Sequence, residues 1–198
     1  MAVLLRFSRI IDDITDRFGQ ASAFCVILTV VTGFYNVVAR YLGRFIGVKL
    51  TSNLFIELQW YLFSLTFLLG LAYVLKHGLN VRVDFLYAHW PTKRRAWVDL
   101  IGHAVFLIAF CIIGLYVTTH PILGSWGQLP DGSFGTWELS PDPQGLPRAP
   151  IKSMLWVGFG MLLLQTIAEI IKNIHVILRE QSDRRIPPQS GGRVPRSG

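Results

Sequence analysis

Over residues 96–119 the chain reads AWVDLIGHAVFLIAFCIIGLYVTT. At about 1.5 Å of rise per residue, one helix of this run crosses about 30 Å of hydrocarbon. Its residues are apolar all round rather than along one stripe, as expected of a helix whose solvent is lipid. Three more segments share this character, residues 21–41, 54–75 and 153–174, each bounded by charge clusters or by Pro and Gly. The charged residues lie mainly between these runs and make up 16% of the chain. A soluble domain carries about 25%. The expected fold class is an all-α membrane protein, a bundle of four transmembrane helices preceded by a short N-terminal interfacial helix.

That interfacial helix is expected in residues 1–19, with a frayed extension as the other reading. Leu4, Phe7, Ile10, Ile11, Ile14 and Phe18 recur at three- and four-residue steps among Arg6, Arg9, Arg17, Asp12, Asp13 and Asp16, a pattern suited to a helix lying on the membrane surface. The stretch has no continuous apolar core before a small-residue cleavage site, so it reads as part of the protein and not as a signal peptide. Residues 20–178 form the membrane domain, and the polar, Pro- and Gly-containing residues 179–198 read as a disordered tail. Between the third and fourth spans, residues 120–150 hold six prolines and five glycines and cannot be one helix. Trp126, Phe134 and Trp137 make this segment a specific contact surface more than a flexible linker.

Fourteen of the nineteen Lys and Arg fall in the N-terminus, the second connection and the C-terminus. The positive-inside rule then places both ends in the cytoplasm. Arg40, Arg44, Lys49, Arg148 and Lys152 remain on the outer side. Trp60, Trp97, Trp126, Trp137 and Trp156 lie near or beyond the span ends, as interfacial anchors do. The net charge of +7 is thus an orientation signal, and with no zinc-finger spacing and no aromatic-basic motif a nucleic-acid partner is excluded.

Ionisable groups inside a span need partners. Arg40 closes the first span and Glu57 opens the second, at the same outer depth, so they either form an ion pair or snorkel separately into headgroups. Glu57, Tyr61 and Ser64 share a face of the second helix that looks at protein, while Gly33 and Asn36 lie on the stripe of Arg40. In the fourth span Gln165, Glu169 and Asn173 form a second polar stripe beside Lys172. Two readings stand there: a local Glu169–Lys172 pair, or contact with another subunit across a helix thinned by Gly158 and Gly160.

Catalytic and cofactor chemistry find no support. Cys25 and Cys111 lie in apolar runs without metal-ligand spacing. Of the five histidines only His103 lies well inside a span, and His103 and His120 on one helix stand about 25 Å apart. One haem cannot bridge them, which counts against a membrane electron-transfer or quinone-linked subunit. No hydrolase, zinc-protease or P-loop motif occurs. No cofactor and no metal are expected. A self-sufficient channel or exporter is the other rival.

The stretch ELQWYLFSLTFLLGLAYVLKHGLNVRVDFLY, residues 57–87, resembles the small membrane subunit of tripartite ATP-independent periplasmic (TRAP) transporters, the DctQ-like family. The resemblance rests on Glu57, Gly70, His77, Gly78, Val81, Val83 and Asp84, with Arg40 and Tyr41 ending the first span. It implies a small permease subunit of the bacterial inner membrane with no catalytic role, scaffolding a large DctM-like subunit that carries substrate and sodium sites and moves as an elevator. A periplasmic DctP-like protein would supply the solute, and membrane lipid would surround the bundle. The long third connection, with SPDPQGLP at residues 140–147, is similar to the branch associated with mannitol, chloroaromatic and other organic-acid uptake. For the turn from His77 to Asp84 two roles stand, helix capping by Asp84 or contact with the large subunit.

Overall fold

The structure is a computed structural model that describes residues 2–79, 89–143 and 145–183. Four helices carry it: α1 (Ala2–Ile46), α2 (Asn53–Lys76), α3 (Thr92–Ser125) and α4 (Arg148–Asp183). All four are long and apolar enough to cross a membrane, and each of the four apolar runs lies within one of them. The described residues contain no strand, only an isolated antiparallel bridge between Gln128 and Phe134.

Backbone chemistry sets the ends. α1 stops where Gly47 turns to φ 74° and the Val48 N–H closes on the Gly43 carbonyl at 3.0 Å, a positive φ that only glycine adopts without strain. Pro91 precedes α3 and its carbonyl accepts from the N–H groups of Arg94 and Arg95. α4 carries Pro150 within its first turn, where the missing N–H costs no intrahelical bond.

α4 is the central helix, packing on α1, α2 and α3, while α1 also lies along α2. Leu75 of α2, Cys111 of α3 and Leu162 of α4 meet in the core, and Cys111 is fully buried there. Where α2 and α4 cross, a Cβ on Gly158 would come within 3.2 Å of the Leu68 carbonyl oxygen, a contact tighter than most side chains make, so glycine favours this close approach. Gly160 has open space around it. Large apolar side chains such as Phe34, Phe63, Phe106 and Ile113 point outward. That inverted surface is stable when the solvent is lipid.

Three expectations meet a different structure. The helical N-terminus is present, but it is continuous with the first span, and Ser8, Ile11 and Thr15 on one face of it are buried. At about 1.5 Å per residue α1 is about 68 Å long, more than twice the hydrocarbon thickness; its charged N-terminal third therefore extends past the apolar layer as a rod. α4 continues through Asp183, beyond Arg179 where the polar tail was expected to begin. Residues 184–198 lie outside the described residues. The third connection is shorter than expected, because α3 runs on through Pro121 to Ser125. That proline sits close enough to the helix end for the freed carbonyl one turn back to find other donors.

Candidate functional site

Two polar clusters lie at opposite ends of the bundle. At the first, Glu57 opens α2 and is 3% exposed. A carboxylate so placed requires donors on its oxygens. The 126–147 segment supplies them: the Ser140 hydroxyl donates to Oε1 and the Leu146 backbone N–H to Oε2. One turn on, the Tyr61 hydroxyl donates to the Pro147 carbonyl. Ser64 shares that face but donates at 2.8 Å to the Trp60 carbonyl of its own helix, and lines a shallow pocket with Trp60 and Arg148.

Glu138 holds the other side of this segment. Its carboxylate accepts from Ser125 at the end of α3 and from the Lys152 ammonium at the start of α4. The hydrogen bond from Lys152, then that from Ser125, holds the Glu138 carboxyl below the usual carboxylate range. Its backbone joins the same two helices, with Glu138 N–H to Ser125 carbonyl and Arg148 N–H to Glu138 carbonyl both at 2.9 Å. The Trp126 indole donates to Ser153 at 2.7 Å and meets the Trp137 ring edge-on at 4.9 Å. The segment is therefore bolted to its own helices, with Trp126 serving that docking, while Phe134 and much of Trp137 face outward.

The expected Arg40–Glu57 pair is not made. Glu57 is saturated by the loop, and Arg40 lies instead with Arg44 and Lys49 around an open pocket at the end of α1. Loop donors reach the carboxylate without burying a guanidinium as well, which spares the larger desolvation cost.

At the opposite end Gln165 is fully buried and uses both ends of its amide. Oε1 accepts from Thr15 of α1 at 2.7 Å, and Nε2 donates to Asp12 of α1 and Glu169 of α4, each at 2.9 Å. The Lys172 ammonium sits between Asp12 and Glu169 at 2.8 Å from both. The local Glu169–Lys172 pair is thus one edge of a larger network. Lys76 of α2 joins it, donating to the Asp12 carbonyl at 3.0 Å and pairing with Asp16 at 2.6 Å. His77, at the end of α2, lies 3.3 Å from Asp16 and against the Tyr73 ring. Gln165 and Glu169 of the α4 stripe are satisfied within the chain, and Gly158 faces α2 of the same chain, where contact with another subunit had been the alternative. Asp84 lies outside the described residues.

Sequence reasoning missed Asp12, Thr15, Asp16, Glu138 and Ser140. A signal existed for the first three, since Ser8, Asp12, Thr15 and Asp16 recur at three- and four-residue steps on one face of α1. None existed for Ser140, whose position depends on the path of a loop. Chemically these clusters are clasps: each acid is occupied by donors of its own chain, and no group of three His, Cys, Asp or Glu able to hold a metal occurs among the described residues.

A family model described as tripartite ATP-independent periplasmic transporters, DctQ component, matches residues 29–175. The chain belongs to this family. It is the small membrane subunit of a TRAP transporter, and with four candidate spans it is a multi-pass membrane protein. Comparison with curated proteins and with solved structures finds no match. Within this DctQ component the matched region contains Glu57, Tyr61, the 126–147 segment, Gln165 and Glu169, and leaves out Asp12, Thr15 and Asp16, the α1 half of the second clasp.

Proposed function

We propose that this DctQ component is a rigid scaffold that binds a DctM-like large subunit along its apolar flank and keeps it fixed in the bacterial inner membrane. The large subunit performs ion-coupled secondary uptake of an organic-acid-type solute delivered by a periplasmic DctP-like protein. Both termini lie in the cytoplasm, the side favoured by the Lys and Arg distribution. The Glu57 clasp then faces the periplasm.

The observation that carries this reading is the fate of the buried polar groups. A translocating chain keeps intramembrane polar groups available to solute or ion. Here Glu57 and Gln165 are consumed in joining helices and loop. Such fully bonded groups stiffen a bundle. A stationary partner of this kind enlarges the fixed part of the membrane assembly against which an elevator-type subunit slides.

Affinity purification of the full chain from cells expressing the complete system tests it. The large subunit co-purifies, and reconstituted vesicles take up solute only when the large subunit and binding protein are both present. Solute uptake by the chain alone would overturn the scaffold reading.

A further inference from the structure

We propose that the turn joining α1 to α2 carries a binding site for the phosphodiester of an anionic phospholipid headgroup, formed by Arg40, Arg44 and Lys49. Arg40 and Arg44 stand one helical turn apart on the same face, where like charges repel. The reversal at Gly47, closed by the Val48 N–H to Gly43 carbonyl bond, returns the chain so that Lys49 borders the same pocket of about 280 Å³. No ion pair among the described residues involves any of the three. Lys152, at the same end of the bundle, is held by Glu138.

Cations near a helix C-terminus complement its dipole. That accounts for Arg44 in the last turn but not for the convergence of Lys49, from beyond the helix, on the same space. Three cations around one cavity call for an anion.

The neighbouring side chains decide which anion. Phe45 and Ile46 are 86% and 67% exposed, and Tyr41 and Leu42 are also outward. An apolar collar on the same turns as the cations sits in the headgroup and upper acyl region, with Arg40, about 9 Å below the helix end, reaching up along its stem. A soluble anion has no use for that collar. A phospholipid meets both halves of it, phosphate on the cations and acyl chains on the aromatic and aliphatic side chains. The site stands in whichever leaflet the turn occupies and does not depend on the transport role.

Thermal unfolding of the full chain in detergent, stripped of co-purified lipid, tests the proposal. Phosphatidylglycerol, phosphatidylcholine or inorganic phosphate is added to the native chain and to R40Q/R44Q/K49Q. Phosphatidylglycerol is expected to raise the midpoint of the native chain more than phosphatidylcholine does, and inorganic phosphate to give little of that excess. Each cation removed weakens lipid binding about fivefold, so the excess vanishes in the triple variant. Equal shifts by the two lipids, or an excess that survives the triple substitution, would overturn the site. A full shift with inorganic phosphate would overturn its assignment to lipid. K49Q alone, on the exposed turn outside the helix, keeps the test open should the triple variant not fold: half-saturation moves about fivefold upward, and an unmoved value counts against the proposal.

Discussion

Glu57 and Gln165 show how differently two polar side chains use the same shelter from water. Glu57 is acceptor-only and takes its two donors from one loop, whereas Gln165 both accepts and donates and so ties α1 to α4. Their substitutions separate accordingly. Glu57→Gln can keep its amide oxygen on the Leu146 N–H and turn its NH₂ to the Ser140 oxygen, so two bonds to a carboxylate become neutral ones. It should lower the thermal midpoint in detergent modestly, at a cost of about 0.5–1.5 kcal/mol. Exchanging Arg40 and Glu57 should restore nothing, because the two do not pair; recovery of native stability in the exchanged protein would contradict the geometry. Gln165→Leu strands Thr15 and removes one of the two links between Asp12 and Glu169, leaving the Lys172 bridge. A loss of about 1–3 kcal/mol is expected, read as a lowered midpoint that Gln165→Glu does not repair, since a carboxylate there faces Asp12 and Glu169.

Helices and the long connection respond to other forces. Gly158→Val should destabilise by about 1–3 kcal/mol through overpacking against Leu68, while Gly160→Val, in open space, leaves the midpoint of the isolated chain unchanged. Equal effects at the two positions would show that the α2–α4 crossing is looser than described. In the 126–147 segment the Glu138 carboxyl is held low by Lys152 and Ser125. A group with a depressed folded-state value contributes stability above its unfolded value, near about 4.3, and loses it as pH falls through the folded one. Docking of the segment should therefore be indifferent between neutral pH and about pH 5 and loosen only below the ordinary Glu range. Fluorescence of Trp126 and Trp137 on acid titration reads this directly. High salt should blunt the effect, since both partners are about one-third exposed. Pro and Gly content signalled that this connection is not a helix; how it folds back was not legible, because irregular backbone is placed by distant side chains.

The molecule as a whole is a four-helix bundle whose first helix outruns the membrane. Deleting residues 2–18 removes Ser8, Asp12, Thr15 and Asp16, which leaves Gln165, Lys172 and Lys76 without their α1 partners. The truncated protein should lose stability and yield in detergent although no apolar span is touched. Unchanged yield and midpoint would return residues 2–18 to the independent surface helix expected from their periodicity. Residue order alone determined the number of spans, the all-α class, the faces on which polar residues line up and the likeness to DctQ subunits, because lipid admits few backbone solutions and hydropathy reports them locally. Only the tertiary structure decided the partner of each buried polar group. Ser140 is 83 residues from Glu57, and Thr15 is 150 from Gln165. At such separations helix rotation and loop path choose among many donors, and neither is written in any local period.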